Sequence, residues 1–340
     1  MVTFEDSSPV RTRLWRDGKL AEENYPLATV SDYLQEPDAL VWVDFCDPTH
    51  TQLLALAEEL EFDPHAVEDA LAHGERTKAT RYATHTFLTV YATHLHPEPE
   101  PGAEAHESRL HTTRISAFIV PRGMVTVRRG SPFDIDEVVR RWDENADLLK
   151  HGPGALVHGL LDTVVDGQFD TIQELDDTAE TLEDDLFEDN VPTRLIQRRV
   201  YRLRKELVQL RRVVLPMREV VNTVLRHRAE HGNSVELDSW YTDLYDHVIR
   251  ATEWSDSLRD MVTTVFETNL SLQDAHLNTI MKKLTSWAAI IAVPTAVTGW
   301  YGMNVPYPGF GQWWGVLTSA GVVFGAAAML YVTFKRRDWL

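Results

Sequence analysis

From Leu284 to Phe334 the chain runs 51 residues without one Asp, Glu, Lys or Arg. No other feature narrows the possible folds so far. A bilayer core takes about 20 apolar residues per helix. A run of this length, interrupted by Pro306, Pro308, Gly309 and Gly311, predicts two spans and one short loop. An ordinary soluble enzyme is ruled out. The formal net charge is −19. The tail Lys335-Arg336-Arg337-Asp338 contributes +2, so residues 1–283 hold −21. Such a balance repels phosphate, and no nucleic-acid partner is expected.

The flanks of the uncharged run set its orientation. Lys282 and Lys283 precede the first span, and Lys335, Arg336 and Arg337 follow the second. The positive-inside rule puts both ends of the chain in the cytoplasm. The loop, roughly Asn304 to Gln312, then faces outside and is too short to hold a domain. Met1 to Arg13 carries acids and no apolar run, so no signal peptide is expected. The single cysteine, Cys46, excludes an intrachain disulfide and fits a reducing compartment. These features describe a multi-pass protein of the cell membrane.

Residues 1–153 read as a cytoplasmic α/β domain. Ala39–Phe45 is a short run of β-branched and aromatic residues. Thr49 offers an N-cap to a helix carrying Leu53, Leu54, Leu56, Ala57 and Leu60. His65–Ala72 reads as another short helix, Tyr82–His96, Leu110–Val120 and Met124–Arg128 as strands, and Pro132–Leu149 as a helix. His96–His106, rich in Pro and Glu, reads as a loop.

Residues 154–283 change to helical period. Ile196, Val200, Leu203, Leu207, Leu210, Val214, Met217, Val221 and Val224 step alternately by four and three, a sustained heptad seam. Pro216 could bend that helix. Leu161, Val165, Gln168, Ile172, Leu175, Ala179, Leu182 and Leu186 repeat the spacing in a preceding helix, with a turn at Asp189–Pro192. Nine acids lie between Glu174 and Asp189, and eleven Lys and Arg between Arg194 and Arg228. An antiparallel hairpin sets the two sets side by side. A third stripe runs through Trp240, Leu244, Ala251, Trp254, Leu258, Met261 or Val262, Val265 and Leu272. No Gly or Pro stands between Gly232 and Pro294, so one rod of about 100 Å is predicted from Leu237 to Tyr301.

Residues 284–340 hold the two spans. Asn278, Met281, Thr285, Ala288, Ala292, Thr295, Gly299 and Gly302 fall on one helical face, and all but Met281 are small or hydrogen-bonding. In lipid such a face is a helix-packing or water-facing surface. If copies line a pore, amide, hydroxyl and backbone oxygens must handle the ion, because no carboxylate lies in either span. Gly321 and Gly325 form a GxxxG, read as packing. Trp313 and Trp314 read as interface anchors. His94 and His96 share a strand face, with His106 and His111 near. Zn²⁺ ligation is conceivable there, and a solvated edge is the plainer reading. Asp44, Glu68, Asp69, Asp134 and Asp136 show no spacing that demands catalysis. No phosphate-loop, HExxH or CxxC motif occurs.

Several short motifs now combine. Tyr301-Gly302-Met303-Asn304 follows the first span, and the chain ends in Lys335-Arg-Arg-Asp-Trp-Leu340. Asn278–Thr285 precedes the span and Pro294-Thr295 lies within it. Asp243-Leu-Tyr-Asp-His247 lies upstream, as do Arg204-Lys-Glu-Leu and Leu215-Pro-Met-Arg-Glu219. In order and spacing this resembles the CorA family of divalent metal-ion (magnesium/cobalt) transporters.

The resemblance implies a homopentamer in the lipid bilayer, a funnel-shaped oligomer with an α/β/α cytoplasmic domain, a long helical stalk and two C-terminal transmembrane helices. It implies Mg²⁺ uptake, with Co²⁺ or Ni²⁺ possible, through a central pore lined by the first span. Mg²⁺ is then substrate and regulatory ligand, with no other cofactor. By position, Gly302, Met303 and Asn304 would form the outer mouth. Asn278, Met281, Leu284, Thr295 and Gly299 would line the pore. Asp243, with Asp246 and His247 beside it, would bind cytosolic Mg²⁺ at subunit interfaces. The outer loop Val305–Trp313 carries no acid where many members have one, and His94 and His96 stand where a carboxylate partner of Asp243 is expected. The Zn²⁺-handling ZntB branch is the rival within the family. Outside it stand a membrane-anchored metal sensor or scaffold and a tethered enzyme. The polar face from Asn278 to Gly302 argues against a plain anchor, and the missing catalytic motifs argue against the enzyme.

Overall fold

The computed structural model describes residues 10–72, 74–97, 108–129, 133–187, 192–230, 235–303, 306 and 308–340. The strands are β1 (Val10–Arg16), β2 (Lys19–Glu23), β3 (Ala39–Cys46), β4 (Lys78–Arg81), β5 (Thr86–Leu95), β6 (Leu110–Val120) and β7 (Gly123–Arg129). The helices of the same region are α1 (Val30–Gln35), α2 (His50–Glu59), α3 (Pro64–Leu71), α4 (Ile135–Glu144) and α5 (Ala146–Leu149). Then follow α6 (Pro153–Asp185), α7 (Thr193–Val214), α8 (Met217–Glu230), α9 (Asp238–Tyr301) and α10 (Trp313–Arg336). Two compact units result, residues 1–265 and 266–340.

In the first unit the strands form one seven-stranded sheet, ordered β2-β1-β3-β7-β6-β5-β4. Only β3 and β7 run parallel; the other pairs are antiparallel. Central β3 is buried on both faces, which is why it reads as a continuous apolar run. Its alternation splits two cores. Leu40 and Trp42 join Trp15, Trp142 and the α4, α6, α8 and α9 side chains. Val41, Val43 and Phe45 join Phe62, Phe87, Phe118 and the helices α1–α3. The sheet therefore lies between two helical layers, the α/β/α arrangement expected. Because α6 shares the first core with the sheet, segments 1–153 and 154–265 form one body.

The local signals held where they were local. Thr49 caps α2 in a reciprocal capping box with Gln52, and Asp63 caps α3. The run from Tyr82 to His96 is not one strand. Tyr82 N–H donates to His85 O at 2.9 Å, closing a turn between β4 and β5. The helix expected over 132–149 divides at Asn145, whose side-chain amide donates to Arg141 O. Residues 130–132 lie outside those described. The hairpin β1–β2 was not foreseen. Asp17 (φ 50°) and Gly18 (φ 74°) make its two-residue turn, the Asp-Gly pattern that such turns favour. At Gly18 a Cβ would also stand 2.7 Å from Ala146 O.

The heptad seam is buried from Ile196 to Val224. It crosses the break at Leu215–Pro216, where the ring removes a donor and the seam nonetheless continues into α8. Its α7 part forms a third core with Ile172, Leu175, Ala179, Leu182, Leu258, Val262 and Val265, and Met217, Val221 and Val224 of α8 join the first core. Arg199 donates to Asp185 at 2.9 Å, joining the basic helix to the acidic one. Residues 189–191 of the expected turn lie outside those described. The α9 stripe needs one correction in phase. Trp240 is 41% exposed, and Tyr241, Leu244, Val248, Ala251, Leu258, Val262 and Val265 are the buried set. Tyr241 wins because its hydroxyl reaches Gly154 O at 2.7 Å while its ring fills the core. Leu272, at 38% exposure, lies beyond the first unit.

In the second unit, α9 runs on without a break to Tyr301, with Pro294 inside it. Two helices, α9 and α10, are long and apolar enough to cross a membrane, and their apolar windows are almost wholly exposed. A core helix of a soluble protein would bury that surface.

Candidate cation path and carboxylate–histidine cluster

Asn278, Met281, Leu284, Thr295, Gly299, Gly302 and Met303 are all exposed on α9 or just past its end. Met281 and Leu284 are 57% and 62% exposed. Thr295 Oγ1 donates to Ile291 O, and Thr298 Oγ1 to Pro294 O, each at 2.9 Å. These bonds satisfy hydroxyls on a helix that Pro294 deprives of one donor. A Cβ at Gly299 would meet nothing within 4 Å. Packing within the chain therefore does not require that glycine. The same holds at Gly321 and Gly325, so the GxxxG of α10 does not serve close packing within the chain. Asn304 lies outside the described residues.

A second constellation lies wholly in the first unit. Asp162 and Asp166 are one helical turn apart on α6, and Asp243 and His247 one turn apart on α9. The ligand atoms of Asp162, Asp166 and His247 lie within 4.8 Å of one another. Asp243 Oδ2 is 3.9 Å from His247 Nε2. Asp246 is exposed and stands outside the group. Arg141, from α4, donates to Asp162 at 2.5 Å and to Asp166 at 2.7 Å. Burial works against the Arg141 charge, but its bonds to the two carboxylates outweigh that and raise its pKa. Behind the cluster His158 is buried, with Nε2 3.1 Å from Trp240 O. Burial pushes its pKa down, against the charges of Asp162 and Asp243.

Two carboxylates and an imidazole make an oxygen-rich set that fits a divalent cation. Such a cation would compete with the Arg141 guanidinium for the two carboxylates. Sequence reading found Asp243 and His247 and missed Asp162 and Asp166. Their signal was the matching one-turn spacing on α6.

The remaining acids have structural duties. Asp44 is fully buried and accepts from Thr126 Oγ1 at 2.7 Å and Arg128 at 2.7 Å. Asp69 pairs with Lys78, Asp136 with Arg11, and Asp134 caps α4. His94 stands directly opposite His111 across β5 and β6. His106 lies outside the described residues.

Comparison with known proteins bears on the family and the fold. The family model for CorA-like Mg²⁺ transporter protein matches residues 37–336. The cobalt/magnesium transport protein CorA of Thermotoga maritima is 25% identical over 308 residues, covering 88% of this chain and 83% of that protein. The zinc transport protein ZntB of Yersinia enterocolitica is 26% identical over 261 residues, covering 76% and 75%. The complete structure of the CorA magnesium transporter from Methanocaldococcus jannaschii superposes with a TM-score of 0.73 at 21% identity, over 100% of both chains. With the α/β domain, the long helix and the two apolar C-terminal helices all in place, the chain belongs to the CorA-like Mg²⁺ transporter family and serves divalent-cation transport.

Proposed function

We propose that the chain carries Mg²⁺ inward, with Co²⁺ and Ni²⁺ as further substrates, along a central path lined by α9 of five copies. Both termini then lie in the cytoplasm and the spans in the cell membrane. The observation that carries this reading is the face Asn278–Gly302. It is polar or small at all positions but Met281, exposed, and includes a glycine with no packing duty in its own chain.

Mg²⁺ gives up its water reluctantly, so amide and hydroxyl oxygens that bond the hydrated ion cost less than stripping it. Gly302-Met303-Asn304 would form the outer mouth, with the Asn304 amide as the recognising group. Met281 and Leu284 would narrow the inner end. An inside-negative potential favours entry of a doubly charged ion by about 4.6 kcal/mol per 100 mV. Asp243 and His247, joined by Asp162 and Asp166, would bind cytosolic Mg²⁺ and hold the path closed. Loss of that ion would restore carboxylate repulsion and loosen the assembly.

The test is flux into proteoliposomes of Mg²⁺, Co²⁺ and Zn²⁺, with and without an imposed voltage. Asn304→Ala should abolish Mg²⁺ uptake and leave the oligomer intact; unchanged uptake would sink the pore reading. Asp243→Ala should weaken inhibition by high internal Mg²⁺. An unaltered inhibition curve would remove the cluster from the switch. A preference for Zn²⁺ over Mg²⁺ would favour the second reading, which the similarity to a zinc transport protein supports.

A further inference from the structure

We propose that His94, His96 and His111 bind one transition-metal cation of the Zn²⁺, Co²⁺ or Ni²⁺ kind, at a site separate from the carboxylate–histidine cluster. The sheet supplies the geometry. His94 and His111 are direct partners in the antiparallel β5–β6 pair. Such partners point to one face with Cβ atoms about 5 Å apart. His96 lies two residues beyond His94 and so returns to that face. Its N–H donates to Arg109 O at 3.0 Å, which keeps residue 96 in the pair past the end of β5.

The His96 ring already lies against each of the other two. The centroids of His96 and His111 are 4.3 Å apart with planes at 82°, and those of His94 and His96 are 5.3 Å apart at 84°. A metal–nitrogen bond of about 2.0–2.1 Å places a ring centroid about 3.2 Å from the ion, so two imidazoles at a tetrahedral angle have centroids about 5 Å apart. The two observed spacings bracket that value. Closing on an ion requires the rings of His94 and His111 to turn toward each other past His96, and all three side chains are exposed. Three imidazoles with water in the fourth position are a complete donor set for Zn²⁺ or Co²⁺ and a poor one for Mg²⁺.

Arg109, whose carbonyl pairs with His96, directs its guanidinium elsewhere: its Nε lies 3.5 Å from the fully buried carboxylate of Glu206 on α7. Core packing offers no other reason for the gathering, since none of the three rings is buried. Binding would have a mechanical consequence. Leu95 and Leu110, beside the histidines, pack into the core of α6, α7 and α9. An ion there would pin the end of the hairpin that buttresses those helices.

The experiment titrates the full-length protein in detergent with Co²⁺ alone and reads its visible absorption. The unaltered protein should develop the intense bands of low-coordinate Co²⁺. His96→Gln should weaken that binding about tenfold or more, and the triple change of His94, His96 and His111 to Gln should remove it. Asp166→Asn should leave the bands unchanged. Identical titrations of the triple variant and the unaltered protein would overturn the proposal. So would bands abolished by Asp166→Asn. The positions are exposed, and far-ultraviolet circular dichroism checks that each variant stays folded.

Discussion

His158 shows how one side chain can tie stability to pH. It is 6% exposed, bonded to Trp240 O and edge-on to the rings of Trp240 and Tyr241. Burial lowers its pKa below the ordinary 6.5; Asp162, the Trp240 carbonyl and Asp243 oppose that shift, and Arg141 adds to it. Between the folded value and about 6.5, the unfolded chain holds a proton that the folded chain does not. Stability therefore falls as pH drops through that window. The apparent melting temperature should decline on acidification below about pH 6.5, and His158→Gln should flatten the decline. Equal slopes in the two proteins would assign the acid sensitivity to other groups. At this scale the sequence showed the participants but not their company. Nothing in the spacing of Asp162 and Asp166 said that Arg141 would hold both, or that Asp243 and His247 would approach from α9.

The heptad seam is the element most legible in the sequence. Each of its nine positions is buried. Leu207 is 2% exposed, whereas its neighbour Val208 is 46% exposed. Leu207→Ala should cost about 2–5 kcal/mol of stability, and Val208→Ala about 0.5 kcal/mol or less. Denaturant melts of the two variants would compare them directly, and equal losses would contradict the seam. The strands were less legible. The apolar content of Tyr82–His96 suggested one long strand, because the turn at 82–85 carries no Gly or Pro. It is held by Tyr82 and His85, whose rings stack at 5.0 Å, and by Thr84 Oγ1 donating to Glu61 O. Those partners come from tertiary packing. The α9 stripe is buried at Leu244, Ala251, Leu258, Val262 and Val265 as its period predicts, and only its first position moved, from Trp240 to Tyr241. Both are large and amphipathic, and the Gly154 carbonyl and the core around the Tyr241 ring favour burying Tyr241.

Among the described residues, most of the exposed large apolar side chains lie on α9 and α10. Lipid can cover one side of such a surface, but Gly299 and Thr295 are residue types of helix-packing surfaces. Under the proposed function other copies of the chain cover that face. Gly299→Cys, in a Cys46→Ser background, should give disulfide-linked dimers under mild oxidation in membranes. A product that stays monomeric would place the face away from other copies and count against a shared path.

The sequence by itself determined the two long apolar segments, the unbroken α9, the buried seam and the absence of charge from the spans. These are statements about charge, breakers and period along a few turns of chain, and short-range sterics and hydration fix them. The tertiary structure alone decided the strand order and the meeting of Asp162 and Asp166 with Asp243 and His247. It also gathered His94, His96 and His111 into ring contact. Such meetings depend on which apolar faces bury one another across about 80 residues of chain, and local periodicity does not encode that choice.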